Sequence, residues 1–88
     1  MKITHSTLTN GLRTIFVNVP DAPTVTVLTL IAAGSRREKP EEHGLAHFLE
    51  HMCFKGTTTR AKAIDIAREL ENLGAENNAF TGKGYTGY

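Results

Sequence analysis

The polar groups whose types and spacing can do chemistry are concentrated in His47-Phe48-Leu49-Glu50-His51. His47 and His51 are four residues apart, so on a helix they project from one face, one turn above the other. Two imidazoles stacked in this way can both reach one zinc ion, at roughly 2.0–2.1 Å each. Glu50 follows His47 by three residues and precedes His51 by one, which rotates it by about 60° from the first and about 100° from the second. A carboxylate so placed can lean over a metal ion without ligating it and accept a proton from an activated water.

The pattern H-x-x-E-H is the H-E-x-x-H arrangement of zinc hydrolases read in the opposite chain direction, an inverzincin pattern. Leu45, Phe48, Leu49 and Met52 add a helical apolar stripe around the triplet. Two His and a Glu buried beside such a stripe are costly unless they find partners, and a metal ion supplies them. Gly44 marks the expected start of the helix. His43, four residues before His47, is therefore read as a capping or surface residue in preference to a third ligand. Cys53, two residues past His51, is read as a small buried hydrophobe in preference to a ligand. His5, in a strand, is read as structural. Glu71 and Glu76 are available as ligands in principle but are not favoured.

The elements that must position this stretch are short. Ile3–Leu8 and Leu12–Val19 alternate as two strands around Thr9-Asn10-Gly11, a turn sequence that accepts positive φ. Pro20 and Pro23 break the second strand, and the β-branched run Val25–Ala33 is expected to form a central, well-buried strand. Residues 36–42 read as a charged, solvated loop. The helix that begins at Gly44 closes at Lys55–Gly56. Thr58 or Thr59 is the expected N-cap of a second helix, Ala61–Leu73, with Gly74 as its C′ residue. Ile64, Ala67, Leu70 and Leu73 fall on one face of that helix, which is expected to pack on the sheet. Asn77–Tyr88 is strand-like but interrupted by Gly82, Gly84 and Gly87. The fold class is thus α+β, an antiparallel or mixed sheet with helices packed on one side.

Composition narrows the function classes. Eighty-eight residues make at most one small domain with a marginal core. Hydrophobic content of 40% and charged content of 22% fit a globular chain. A net charge of +1 predicts no nucleic-acid partner. No apolar run approaches the ~20 residues of a membrane span, and no membrane partner is expected. A single Cys allows no internal disulfide. Met1–Ser6 has no apolar signal core and no transit-type segment precedes the first strand, so the expected location is cytoplasmic.

Gly34-Ser35-Arg36, Glu38, the block His43–Thr57, Leu73-Gly74-Ala75 and Asn78–Thr81 occur in the order found in the peptidase family of pitrilysin, insulin-degrading enzyme and the mitochondrial processing peptidase (M16). The chain resembles that family over nearly its whole length, the processing-peptidase branch most closely. The resemblance implies the N-terminal part of a LuxS/M16-like metalloenzyme domain and a zinc metalloendopeptidase acting on extended or presequence-like peptides. It implies one zinc ion per domain, with His47 and His51 as ligands and Glu50 as the catalytic general base. It also implies a substrate-binding segment at Asn78, Ala79 and Phe80, and a second homologous domain or subunit that closes a clamshell over the peptide. Gly84 stands where the family usually has Glu, which removes a possible support of the site. The family's third ligand, a Glu on a later helix, has no counterpart within these residues. Residues 1–88 are therefore expected to be a partial domain, truncated at its C-terminus and inactive alone. Two other readings are a non-catalytic scaffold subunit of the same fold and a small α+β binding module with a structural His pair.

Overall fold

The computed structural model describes residues 1–88. Strands β1 (Lys2–Thr7) and β2 (Arg13–Asn18) form an antiparallel hairpin in which Ile3 faces Val17 and His5 faces Ile15. Asn10 and Gly11 build its turn: Gly11 takes φ +88°, and the Asn10 Oδ1 accepts the Leu12 N–H at 3.0 Å. Opposite side chains also meet across the pair, Ser6 and Thr14 hydroxyls lying 2.7 Å apart.

The second sheet is built from β3 (Leu30–Ile31), β4 (Phe80–Thr81) and β5 (Thr86–Gly87), in the antiparallel order β3-β5-β4. The architecture is α+β, as the sequence implies, but with two small sheets. Most of Val25–Ala33 is not the buried central strand its composition suggests: only Leu30–Ile31 are strand, and Val25 is 91% exposed. The reason is pairing. The ladder of β3 against β5 ends at Thr29, whose N–H and C=O exchange bonds with Tyr88 at 2.8 and 2.9 Å, and no strand lies opposite residues 24–28. β-branched residues favour a pleated surface only where neighbours exist to make one.

Residues 35–37 and 40–42 form single 3₁₀ turns within the charged segment. Helix α1 (Leu45–Met52) follows directly, and α2 (Ala63–Asn72) completes the set. The N-cap of α2 is Lys62 instead of Thr58 or Thr59. Residues 57–60 are taken up in a separate turn, in which the Thr57 hydroxyl accepts the Arg60 N–H at 2.9 Å, and the helix starts only where Asp65 reaches back to the Lys62 N–H at 3.2 Å. Arg60 forms a bidentate pair with Glu69, Nε donating to Oε2 and Nη2 to Oε1, and through that hydrogen bonding first holds the Glu69 carboxyl below its usual range. The end of α2 follows expectation: Gly74 takes φ +67°, its N–H meets the Glu71 carbonyl at 2.9 Å, and the Ala75 N–H meets the Leu70 carbonyl at 3.0 Å, a Schellman motif. Its apolar face does not seal against a sheet, and Leu73 stands 77% exposed.

The best-packed place is the junction of β4, β5 and the chain after β3. Gly34, Thr86 and Gly87 are the buried residues. Gly34 is extended, at φ −166°, a conformation open to any residue. What requires glycine there is proximity, since an added Cβ would stand 2.8 Å from the Lys83 carbonyl oxygen and closer still to that of Gly82. The Ser35 and Arg36 N–H groups bind those same two carbonyls at 3.2 and 2.8 Å. This docking fixes the β4–β5 hairpin beneath α1. No helix is long and apolar enough to cross a membrane.

Candidate metal and catalytic site

α1 forms because Leu45, Ala46, Leu49, Glu50 and Met52 are good helix formers and Gly44 supplies a left-handed entry. Gly44 sits at φ +87°, and its N–H is accepted by the Glu38 Oε1 at 3.3 Å, so a carboxylate lies at the positive end of the helix. The helix ends through Cys53, with the Phe54 N–H turning back to the His51 carbonyl at 3.2 Å. The apolar stripe of α1 is exposed, and so are both histidines; only Glu50 and Ala46 are half-buried. The expectation of a buried triplet is therefore corrected. The helix presents its polar groups on an open surface with little packed against it.

The helical spacing does bring the imidazoles together. The His47 and His51 Nε2 atoms are 2.9 Å apart, with ring centroids at 4.6 Å and the planes at 65°. Two nitrogens bound tetrahedrally to one zinc ion would be separated by about 3.3 Å, so a small rotation of either ring creates that spacing. Without an ion, one ring must donate to the other. The pair thus fits two of the four positions around zinc, both through Nε2. No third His, Cys, Asp or Glu joins them in a cluster. His43 is exposed at the end of a 3₁₀ turn, and Glu71 and Glu76 are exposed away from the pair. His5 lies in β1, paired with Ile15.

Glu50 leaves α1 toward β4, where the Thr81 hydroxyl donates a hydrogen bond to its Oε2. Cys53 is not buried, contrary to expectation: it is exposed, and its Sγ lies 3.7 Å from the Tyr88 hydroxyl. That contact, with partial burial and the charge of nearby Glu50, pushes the Tyr88 phenol above its ordinary value. Tyr88, the last residue of the ladder described above, therefore also borders the site.

A polar cleft of ≈ 360 Å³ opens beside the histidines, lined among others by Glu38, His43, His47, Thr81 and Lys83. Glu38 is among the lining residues, and its Oε2 is buried without a hydrogen-bond partner. Asn78, Ala79 and Phe80 run into β4, which is an edge strand of its sheet. Asn78 folds its Oδ1 onto the Ala79 N–H at 2.8 Å, and Phe80 stacks edge-on against Tyr85 at 5.8 Å. Gly84 sits in the β4–β5 turn, where an added Cβ would touch nothing.

Sequence reasoning singled out His47, Glu50 and His51; the fold pairs the two imidazoles and turns Glu50 toward Thr81. It gave no role to Glu38 or Thr81. Glu38 precedes the helix by seven residues, and Thr81 follows directly on Asn78-Ala79-Phe80. Their positions beside the motif were visible, but their contacts depend on a tertiary approach.

Similarity to known proteins extends over nearly the whole chain. Residues 13–88 match the model of the insulinase family, peptidase family M16. A Bacillus subtilis protein named as an uncharacterized zinc protease is 45% identical over 86 residues, covering 98% of this chain and 21% of the relative. A Rickettsia felis protein of the same description is 47% identical over 83 residues, covering 94% of this chain and 20% of its own length. The mitochondrial-processing peptidase subunit beta of Lentinula edodes is 49% identical over 84 residues, covering 94% of this chain and 18% of its own. The chain thus spans about one fifth of the length of these relatives.

Proposed function

The chain belongs to the insulinase family, peptidase family M16, and from that premise we propose that it carries the metal-binding and proton-accepting residues of a zinc-dependent metalloendopeptidase. The observation that carries this reading is the convergence of the His47 and His51 Nε2 atoms at 2.9 Å on the helix that also bears Glu50. His47 and His51 would hold one zinc ion through Nε2. When bound, the ion would supply Lewis acidity and lower the pKa of a bound water. Glu50 accepts the proton through its carboxylate and delivers it to the leaving amine, the role of a general base and then acid. A third protein ligand comes from outside residues 1–88, because two imidazoles leave a catalytic zinc one protein ligand short of its usual three.

The substrate is an extended or presequence-like peptide. Its support is the edge position of β4, whose outer backbone groups can pair with any extended chain irrespective of side chains. Asn78, Ala79 and Phe80 lead into that edge and would line the peptide. A second homologous domain or subunit would close over it, and the word subunit in the name of the Lentinula relative favours this.

The test uses the full-length protein. Glu50→Gln should retain one zinc per chain and lose turnover by about 10²- to 10⁴-fold, whereas His47→Ala and His51→Ala should lose the zinc. Turnover unchanged in Glu50→Gln would remove Glu50 from the mechanism, and zinc retained in both His variants would remove the pair as ligands.

A further inference from the structure

We propose that Thr81 is a positioning residue for Glu50, its hydroxyl holding the carboxylate in the orientation from which it accepts a proton. The inference rests on the general-base reading above. The Thr81 hydroxyl donates to the Glu50 Oε2, and no other protein donor reaches that carboxylate. One oxygen is thereby occupied and Oε1 is left free to receive the proton.

A half-buried glutamate with no second donor can still sample several rotamers, and a base works only within about 2.6–3.2 Å of its proton. An error of about 1 Å in placement can cost about 10²-fold in rate. The single tether is thus the difference between a mobile carboxylate and an aimed one.

The donor is itself immobilised. Threonine is stiff at χ1. Thr81 pairs in the ladder with Thr86, which is 3% exposed and donates its own hydroxyl to the Ala33 carbonyl at 2.6 Å. The neighbouring Gly82 and Lys83 carbonyls are held by the Ser35 and Arg36 N–H groups. Thr81 therefore projects from the best-packed part of the chain onto α1, the helix that rests on β4. β4 is also the edge strand proposed to receive the peptide, so one strand would set both the substrate's register and the base's aim.

The experiment compares Thr81→Val, Thr81→Ser and Glu50→Gln in the zinc-loaded full-length protein, on an internally quenched peptide that it cleaves. Thr81→Val removes the hydroxyl and keeps the β-branched shape. It should lower kcat about 10- to 100-fold, the range for outer-shell partners. KM should stay within about twofold and zinc affinity, measured by chelator competition, should not change, since neither depends on Glu50 in this scheme. Thr81→Ser should restore most of kcat. The proposal is overturned if kcat in Thr81→Val stays within about twofold of the parent, if serine fails to rescue, or if zinc is lost in parallel. Should the valine variant not fold, Thr81→Ala against Thr81→Ser makes the same comparison. Full turnover in Glu50→Gln would defeat the general-base reading itself, whereas a dead Glu50→Gln beside a fully active Thr81→Val would defeat only the positioning role.

Discussion

Glu38 shows how one side chain can serve both a helix and a site. Its Oε1 accepts the Gly44 N–H, one of the free donors at the start of α1, while its Oε2 is buried without a partner at the edge of the cleft. A hydrogen bond accepted from a helix-initial N–H contributes about 1 kcal/mol, and the negative charge of Glu38 is favourable at that end of the helix dipole. Glu38→Ala in the full-length protein should therefore cost about 1 kcal/mol. Glu38→Gln should cost less, because an amide oxygen still accepts from Gly44. Urea unfolding of the two variants checks the order. Equal stability of Glu38→Ala and the parent would show that the 3.3 Å contact contributes nothing.

Two glycines separate the two ways in which an element can demand that residue. Gly44 starts α1 at φ +87° with open space around it, so alanine there meets only backbone strain, about 1–2 kcal/mol. Gly34 has an ordinary φ but is wedged against the Gly82 and Lys83 carbonyls, which are backbone and cannot swing aside. Gly34→Ala should force the 34–36 segment off the β4–β5 hairpin and cost more than Gly44→Ala, about 1–3 kcal/mol or above. It should also lower turnover, because Thr81 and Glu50 lose their alignment, whereas Gly44→Ala should leave turnover nearer the parent. Thermal unfolding and kcat measured side by side decide it, and a milder Gly34→Ala would contradict the clash. The comparison also explains what was legible in the sequence. The hairpin turn at Asn10-Gly11, the helix start at Gly44 and the Schellman end at Gly74 are local features and could be read directly. The His47–His51 pairing is local too, set by one helical turn. Val25–Ala33 has the composition of a strand but is one only at Leu30–Ile31, because a strand needs a partner that sequence periodicity does not reveal. The Thr81–Glu50 bond spans 31 residues and leaves no local trace.

At the scale of the whole molecule, these elements lack a common core. Three of 88 residues are buried and none of them is hydrophobic. Ile3, Ile15 and Val17 of the hairpin, Leu45, Phe48 and Leu49 of α1, and Phe80 of β4 are all exposed. The radius of gyration is 15.8 Å, against about 12 Å for a compact domain of this length. Backbone hydrogen bonds number 42, where a folded domain of this size would have about 60. Burial of apolar surface at about 25 cal/mol per Å² must offset about 1–2 kcal/mol of backbone entropy per residue, and here little such surface is buried. The exposed apolar faces would be covered by further polypeptide, for which relatives five times as long have ample chain. Residues 1–88 produced alone should accordingly give broad, poorly dispersed amide signals and no cooperative urea transition. They should also show no chelator-sensitive peptidase activity, because Glu50 is aimed only while β4 is held beneath α1. Full-length protein under the same conditions should unfold cooperatively and lose activity on chelation. A sharp transition in the 88-residue chain would show that these few buried contacts suffice to fold it, and peptidase activity from it would show that His47 and His51 hold a working zinc without a third protein ligand.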